Sequence, residues 1–537
     1  MDCTPYPFHK LPFSDLFCSY IRQEDSLSPF FSANPFNEES IREYSDGFRF
    51  AGDRETSVEL LRDFQEQFGA RQPTYDQIDR LADPEAVAIV TGQQLMIYGG
   101  PLFTIYKTIT AILYARRWEV LLGRPVIPVF WLADEDHDFP EAAKLGVLTN
   151  SDFQTLELAG DDLDVPVGRR LLGDDFERFR AELFDLLPET DFSEPLKGVL
   201  DRFYKKGVSF RQAFGSLMLH LFGSEGLVLA GSDTPEIKQA VLNPLLNSAE
   251  KHREVFQRLE GQSRDLEASG YHRQAVVQSS NLFFLDETGG RQKLDVENTT
   301  WSTGNGESWS SPELIKQISE TPERFSPNVF LRPLVQDRLL PTLAYVGGPG
   351  EIAYYAQMKA LYSGMDQQMP VILPRFSASL IEPAIDRILE KLPFEAGDFQ
   401  NRIEDLESAY IEKVDRLDVE TLFTDWKEQV STITSKKVEQ IKTIDPTLST
   451  AADKAGTLFE NELNQLKGKV YKSMKREEEI QLNRIRRIKE NLFPDNGLQE
   501  RSVGFLCYMN KYGPDIWNRL LELLEDQTPD THKLIRL

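Results

Sequence analysis

The segment Asp134–Asp138 places four carboxylates around one imidazole, directly after an apolar run. Carboxylates crowded in this way repel one another unless solvent or a function compensates. Three functions fit: a general base at His137 whose pKa the acids raise, capture of a substrate ammonium group, or a hard metal held by oxygen atoms. An exposed acidic turn is the alternative without function. We take His137, Asp136 and Asp134 as candidate catalytic residues, and we expect no bound metal.

A glycine-containing loop is the second candidate, with Gly92, Gln93 and Gln94 at its start and Gly99 and Gly100 at its end. Glycine lets a backbone turn sharply and approach a ligand. The helix that follows has free N–H groups at its first turn, a natural site for an anion such as phosphate. The pattern is neither G-x-G-x-x-G nor a P-loop, so it predicts no standard nucleotide site, and a structural turn is the alternative.

Lys107 follows in that helix, where Leu102, Ile105, Ile109 and Ile112 form one apolar stripe at helical spacing. At 100° per residue Lys107 projects nearly opposite the stripe. We therefore expect its charge to be available to a ligand, without a role in the core.

Three glycines form a third candidate, the loop with Gly347, Gly348 and Gly350 that leads into Glu351. Such a loop can present consecutive N–H groups to an anion, although glycine turns before helices are also common in purely structural roles. Arg332 and Arg375 lie near strand-like segments. Arginine binds carboxylates in a bidentate manner, so each could clamp a di-acid, and an internal ion pair is the alternative.

Alternating strands and helices must position these residues. Short apolar runs rich in β-branched residues predict buried strands at Ala86–Thr91, Val126–Ala133, Gly226–Ala230, Leu340–Tyr345 and Pro370–Leu373. A helix from Pro101 to Gly123 joins the first two runs, and a helical run is expected from Pro235 to about Glu267. This order predicts an open, mostly parallel α/β sheet with ligands beyond the carboxyl ends of its strands.

The amino-acid composition changes near Leu380, and from there to about Asn491 the chain is rich in Glu, Lys, Gln and Arg. Apolar residues then recur at helical spacing from Ile403 through Leu417 and on to Leu492, which predicts a coiled coil or long helical hairpin. Three ordinary amphipathic helices are the alternative. We place the domains at 1–379 and 380–537, with the end of the chain returning to the core. Because one short hairpin cannot bury all these apolar residues, we expect a homodimer through the coiled coil.

Composition excludes several classes of protein. Acidic residues exceed basic ones, 86 against 60, giving a formal net charge of −26 that repels nucleic acid and anionic membranes. The three cysteines have no metal-type or disulfide-type spacing, and no run of 18 apolar residues occurs. Without a recognisable targeting segment, we expect a cytoplasmic protein.

Five motifs in order along the chain resemble the BshC family of bacillithiol biosynthesis, whose members are regarded as cysteine ligases. They are Val90–Gln94 with Gly99–Lys107, Pro128–Phe139, Phe325–Asp337, Ala344–Tyr354 and Leu492–Arg501. Leu95–Tyr98 departs from the glycine-containing spacer expected there. The resemblance implies a Rossmann-like core, a C-terminal coiled coil that mediates dimerisation, and addition of L-cysteine to glucosaminyl-malate in the last step of bacillithiol synthesis.

Such a ligation needs an activated carboxylate, so ATP or ADP is a possible ligand, although no cofactor is firmly expected. The helix end near Gly99 could hold phosphate, His137 or a neighbouring carboxylate could take the proton of the amine, and Arg332 or Arg375 would suit the malyl di-acid. Two rivals remain: a non-catalytic nucleotide- or thiol-binding scaffold, and a metal-dependent hydrolase built on the acidic cluster.

Overall fold

The computed structural model describes residues 1–149, 152–160, 164–414 and 418–537. Leu417, expected in the helical seam, lies outside these residues. The chain forms two compact units, one of residues 1–380 with 498–537 and the other of residues 381–497. The end of the chain thus belongs to the same unit as the first 380 residues.

A five-stranded parallel sheet organises the first unit. Its strands in chain order are β1 Val87–Gln94, β2 Val126–Ala133, β3 Val228–Ala230, β4 Thr342–Gly347 and β5 Val371–Pro374. They lie side by side in the order 5-4-1-2-3, the order of a Rossmann fold. The strands are buried almost throughout, as their continuous apolar sequences require. The predicted α/β class is confirmed.

The strand order reverses between β1 and β4. From β1 the chain moves outward through β2 to β3, and it then crosses back to place β4 on the other side of β1. At such a switch point the loops leaving two adjacent parallel strands diverge to opposite faces of the sheet and open a crevice. The segments after β1 and β4, both candidates from the sequence, therefore border one crevice.

The predicted end of β1 was wrong. The strand continues past Thr91 to Gln94, because Gly92, Gln93 and Gln94 pair in register with the last three residues of β2. A Cβ on Gly92 would lie 2.9 Å from the carbonyl oxygen of Trp131, so this glycine is needed for close contact with the neighbouring strand. The helical run after Pro235 is also divided, into Pro235–Ala240, Leu242–Glu250 and His252–Ala268.

Helix α1, Leu102–Leu122, connects β1 to β2 and ends at Gly123, whose φ of +67° suits glycine. The sequence predicted a single apolar stripe on this helix. Instead, the helix is surrounded by protein over most of its length, and Lys107 is only 3% exposed. The expectation that Lys107 has no role in the core was therefore wrong.

Other helices and small sheets enclose the central sheet. The remaining helices of this unit are Asp15–Ile21, Glu38–Gly47, Arg54–Glu66, Gln72–Arg80, Phe139–Ala142, Asp175–Leu186, Ser193–Phe203, Phe210–Phe222, Ser311–Glu320, Arg332–Leu339, Pro349–Tyr355, Lys359–Gly364, Gln499–Ser502, Leu506–Tyr512 and Ile516–Leu524. The small sheets contain Lys144–Leu148 with Phe153–Glu157, Leu282–Leu285 with Arg291–Lys293 and Phe325–Pro327, Asp295–Glu297 with Thr300–Ser302 and Ser308–Ser310, and Asp2–Tyr6 with His532–Arg536 and Ala378–Ile381.

The second unit is helical. Its helices are Pro383–Leu389, Ile403–Val414, Val419–Ile444, Ser449–Glu477 and Glu479–Leu492. The two longest form an antiparallel hairpin, and Val419, Phe423 and Leu463 are buried together between them, away from the turn that joins them. Other apolar side chains of the hairpin, among them Trp426 and Leu466, are exposed. Within the described residues, no helix combines the length and apolar character needed to cross a membrane.

Candidate active site

A cavity of about 670 Å³ lies at the carboxyl ends of β1, β2 and β4, at the switch point of the sheet. Eleven of the candidate residues from the sequence line it: Gly92, Gln93, Gln94, Lys107, Asp134, Asp136, Arg332, Gly348, Gly350, Glu351 and Arg375. The cavity wall does not include Gly99, Gly100, His137 or Gly347. Parallel strands bring their carboxyl ends to one edge of the sheet, which is why residues far apart in sequence meet here.

Lys107 and Glu351 form an ion pair in this cavity, with Nζ 2.5 Å from Oε2; the Lys107 side chain is buried and that of Glu351 is half-buried. The ammonium group also donates to the carbonyl oxygen of Gly92 at 2.8 Å and to Oε1 of Gln93 at 3.1 Å. Burial lowers the pKa of Lys107, although Glu351 favours its charged form. Burial would raise the pKa of Glu351, but the Lys107 ammonium group and the hydrogen bonds from Gly348 and Tyr345 together hold that pKa below its usual value. The carboxylate of Glu351 is therefore ionised at neutral pH.

The glycine loop after β4 is arranged around the same carboxylate. Glu351 accepts hydrogen bonds from the backbone N–H of Gly348 at 2.8 Å and from the hydroxyl of Tyr345 at 2.6 Å. The N–H expected to hold an external anion is thus occupied by the protein's own acid. Gly347 lies behind the wall, where its carbonyl oxygen accepts from the N–H of Arg375. A Cβ on Gly350 would meet no atom closer than 4.0 Å, so this position is open.

Arg332 and Arg375 differ in how far the protein satisfies them. Arg332 donates to Oε1 of Gln336 at 3.0 Å, and its guanidinium lies 5.6 Å from the ring centre of Tyr345. Arg375 makes two hydrogen bonds to the carboxylate of Glu500, at 2.7 and 2.9 Å, and both side chains are buried. The alternative of an internal ion pair therefore holds for Arg375.

The acidic cluster is divided among separate partners. Asp134 is fully buried at the cavity floor, accepts N–H groups from Ser232 and Asp233, and lies 3.5 Å from Arg211. Burial, reinforced by Asp233, raises its pKa. Glu135 pairs with the buried Lys238 and accepts the hydroxyl of Ser232. In the described part of the chain no cluster of His, Cys, Asp and Glu has a metal-binding arrangement.

Asp136 and His137 point in different directions. Asp136 lines the cavity and accepts the amide N–H of Gln94 at 2.5 Å. The His137 ring instead has Nδ1 3.0 Å from the carbonyl oxygen of Glu135 and Nε2 3.3 Å from that of Gly289. Burial lowers its pKa, so the expectation that the neighbouring acids raise it was wrong. Those acids are directed to other partners, and desolvation of the ring prevails.

Gly99 and Gly100 serve the turn before α1. Both have positive φ, +82° and +76°, and a Cβ on Gly99 would lie 2.4 Å from the Phe505 ring. The first N–H of α1, from Leu102, donates to the carbonyl oxygen of Val503. The first of the N–H groups expected to bind phosphate is thus occupied by the chain itself.

Several cavity residues were missed from the sequence, namely Phe103, Trp131, Glu135, Glu141, Ser232, Gln274, Arg291, Asn328, Tyr345, Tyr354 and Arg501. Glu500 was missed as the partner of Arg375. Some of these lie inside the motifs already singled out, such as Tyr345 beside the glycine loop and Arg501 at the end of the last motif. Arg291 and Ser232 carry no local signal, because only the folded chain brings them to this edge.

Comparison with known proteins agrees with the architecture. Residues 1–376 match the family described as bacillithiol biosynthesis BshC, N-terminal Rossmann-like domain, and residues 378–537 match its C-terminal coiled-coil domain. A protein of Salinibacter ruber named "Putative cysteine ligase BshC" is 35% identical over 97% of this chain and 96% of its own length. Proteins of the same name from Chlorobaculum tepidum and Symbiobacterium thermophilum are 32% and 33% identical, covering 98% and 92% of both chains. The chain therefore belongs to the BshC family of bacillithiol biosynthesis.

Proposed function

We propose that this protein joins the carboxyl group of L-cysteine to the amine of glucosaminyl-malate, completing bacillithiol in the last step of its synthesis. The family and the name of its relatives support a cysteine ligase. The observation that carries the proposal is the distribution of charge around one cavity. Lys107, Arg332 and Arg375 lie on its walls together with Asp134, Glu135 and Asp136.

The substrates carry both negative and positive groups, so their binding site needs cationic and anionic side chains. The malyl group is a di-acid, for which guanidinium groups are good partners. Arg332 is the better candidate, because Glu500 already satisfies two nitrogen atoms of Arg375. The glucosamine nitrogen arrives as an ammonium group, which the acids at the end of β2 would attract. We therefore place the malyl group beside Arg332 and the amine beside Asp136.

Amide formation requires the ammonium nitrogen to lose protons and one carboxylate oxygen of cysteine to leave. We propose that ATP supplies the activation, so that this oxygen departs with a phosphate or nucleotide product as the new C–N bond forms. Asp136 is the proposed acceptor of the amine proton, because its carboxylate reaches the cavity and Gln94 holds one of its oxygen atoms. Lys107 would help to offset negative charge that develops during activation.

The direct test is incubation of the purified protein with glucosaminyl-malate and L-cysteine, with and without ATP, followed by mass analysis. We expect a product whose mass is the sum of the two substrates less one water, formed only with ATP. Product formed without ATP would refute nucleotide activation. Binding of both substrates with no product under either condition would refute catalysis and favour the non-catalytic scaffold. We further propose that the reaction takes place in the cytoplasm.

A further inference from the structure

A chain of buried polar side chains lies behind Arg375. Glu500 accepts two hydrogen bonds from the guanidinium, one from the hydroxyl of Ser377 at 3.0 Å and one from the N–H of Ala378 at 3.0 Å. The Ser377 hydroxyl also contacts Nδ1 of His532 at 2.8 Å. At the far end, Nε2 of the same ring lies 3.0 Å from the hydroxyl of Ser379.

The direction of these hydrogen bonds follows from the carboxylate. Arg375 holds the pKa of Glu500 below its usual value although burial opposes this, so the ionised acid can only accept. Ser377 has one hydroxyl proton and donates it to Glu500. Nδ1 of His532 must therefore carry a proton and donate it to Ser377. Because burial lowers the pKa of His532 to about 4, the ring has only this proton at neutral pH, and Nε2 accepts from Ser379.

This arrangement is unlike a hydrolytic triad despite its Ser, His and Glu. In a triad the histidine accepts the serine proton through a free lone pair. Here the ring donates to Ser377, whose own proton points to the carboxylate. The serine is also buried and absent from the cavity wall. The chain of hydrogen bonds therefore has a structural role, which is to hold Glu500 and the Arg375 guanidinium in place.

The group held at its end faces the cavity. Arg375 lines the cavity wall, and its Nε lies 3.4 Å from where a Cβ on Gly348 would be. Its guanidinium is 5.6 Å from the ring centre of Phe103, another residue of the wall. A rotation of Glu500 would therefore move a cation on the cavity wall.

We propose that His532, on the C-terminal strand His532–Arg536, is a positioning residue. Through Ser377 and Glu500 it orients Arg375, so that this cation, although paired with Glu500, adds positive charge to the cavity wall for the malyl di-acid held beside Arg332. The inference rests on the proposed function for the identity of that substrate. Partners that orient a ligand-binding group in this way contribute to affinity without touching the ligand. The C-terminal strand thus takes part in substrate binding from behind the cavity wall.

The test compares His532→Asn with His532→Gln in the full-length protein. The amide of Asn can place an N–H near the position of Nδ1, whereas Gln places its amide near Nε2. We expect His532→Gln to weaken binding of glucosaminyl-malate, measured by calorimetry, about three- to tenfold, the effect of one hydrogen bond. His532→Asn should restore most of this affinity, and the KM for L-cysteine should change less than twofold in both variants.

Ser377→Ala provides a second test that leaves the C-terminal strand unchanged, and it decides the matter if the His532 variants fail to fold. It should weaken glucosaminyl-malate binding by a similar factor with little change in the KM for L-cysteine. Wild-type affinity in folded His532→Gln or Ser377→Ala would overturn the inference, as would a wild type that does not bind glucosaminyl-malate. A wild type that binds this compound without forming product would refute the proposed function alone.

Discussion

At the scale of single residues, the cavity is dominated by groups that the protein has already paired. Lys107 is held by Glu351, Arg375 by Glu500 and Glu135 by Lys238. Removing one partner of a buried ion pair lowers stability, because the charge that remains is desolvated and has no partner. Substitutions here therefore affect stability as well as binding, and matched double variants are needed to separate the two effects.

Lys107→Met tests this argument. The variant leaves the Glu351 carboxylate in place without its ammonium partner, and we expect it to lower the free energy of unfolding by about 3 kcal/mol. The double variant with Glu351→Gln removes the unpaired charge and should recover more than half of the loss. Urea denaturation of the wild type, both single variants and the double variant measures this coupling. Equal stability of the wild type and Lys107→Met would contradict the ion pair.

Asp136 and His137 are neighbours in the acidic cluster, and their roles in catalysis can be compared directly. Asp136 faces the cavity, whereas the His137 ring contacts two backbone carbonyl oxygens away from the wall. We expect Asp136→Asn to reduce product formation about 100-fold, the usual effect of removing a general base. His137→Ala should retain activity within about fivefold, a scale set by the loss of one neutral hydrogen bond. The reverse ranking in a mass-based assay would restore His137 as the base.

At the scale of elements, the C-terminal strand His532–Arg536 lies between Asp2–Tyr6 and Ala378–Ile381 in a three-stranded sheet. Its first residue is fully buried and neutral at pH 7. In the unfolded chain this imidazole regains its ordinary pKa near 6.5. At pH values between about 4 and 6.5, unfolding is therefore accompanied by uptake of a proton. The strand therefore links the stability of the first unit to pH.

We expect this histidine to stabilise the fold fully above pH 6.5 and progressively less as the pH falls towards 4, a difference of about 3 kcal/mol. His532→Asn cannot be protonated and should lack this component. The difference in unfolding free energy between wild type and variant should therefore shift in favour of the variant from pH 7.5 to pH 5. The other acidic groups titrate in both proteins, so their contributions cancel in this difference. A difference independent of pH would show that the ring is not buried and neutral.

At the scale of the whole molecule, the exposed apolar side chains of the second unit bear on assembly. The helical hairpin buries Phe423 and Leu463 between its two helices but leaves Trp426, Ile433 and Leu466 exposed. Exposed apolar side chains along a coiled coil favour contact with further helices. We therefore keep the prediction of a homodimer through this unit. Val470 of the same helix packs on the hairpin's own core, so a substitution there would test folding instead.

Leu466→Lys introduces a charge on this exposed apolar surface. We expect the wild type to sediment as a dimer at micromolar concentration and the variant to dissociate at least tenfold more readily, since burying an unpaired lysine costs more than about 1.4 kcal/mol. Asn464→Lys adds the same charge on the opposite side of the same helix and should leave the dimer intact. A monomeric wild type would contradict the prediction.

The local pattern of the chain was sufficient to predict the α/β class, the exact bounds of β2, the helical unit and eleven residues of the cavity. Apolar runs and helical spacing report burial directly, and the parallel order of strands implies where their loops meet. The motifs around Gly92, Asp134 and Gly348 thus located one site. The family resemblance, confirmed by the comparisons, supplied the chemistry that these patterns could not.

Only the tertiary structure decided which charges remain for a ligand. The partners of Lys107, Arg375 and Asp136 come from residues as far apart as Glu351, Glu500 and Gln94. Whether a charged side chain is paired, and how burial shifts its pKa, depends on contacts made through space, which spacing along the chain does not encode. For the same reason His532, without a local partner in sequence, acquires its two hydroxyl partners, Ser377 and Ser379, only when the end of the chain returns to the sheet.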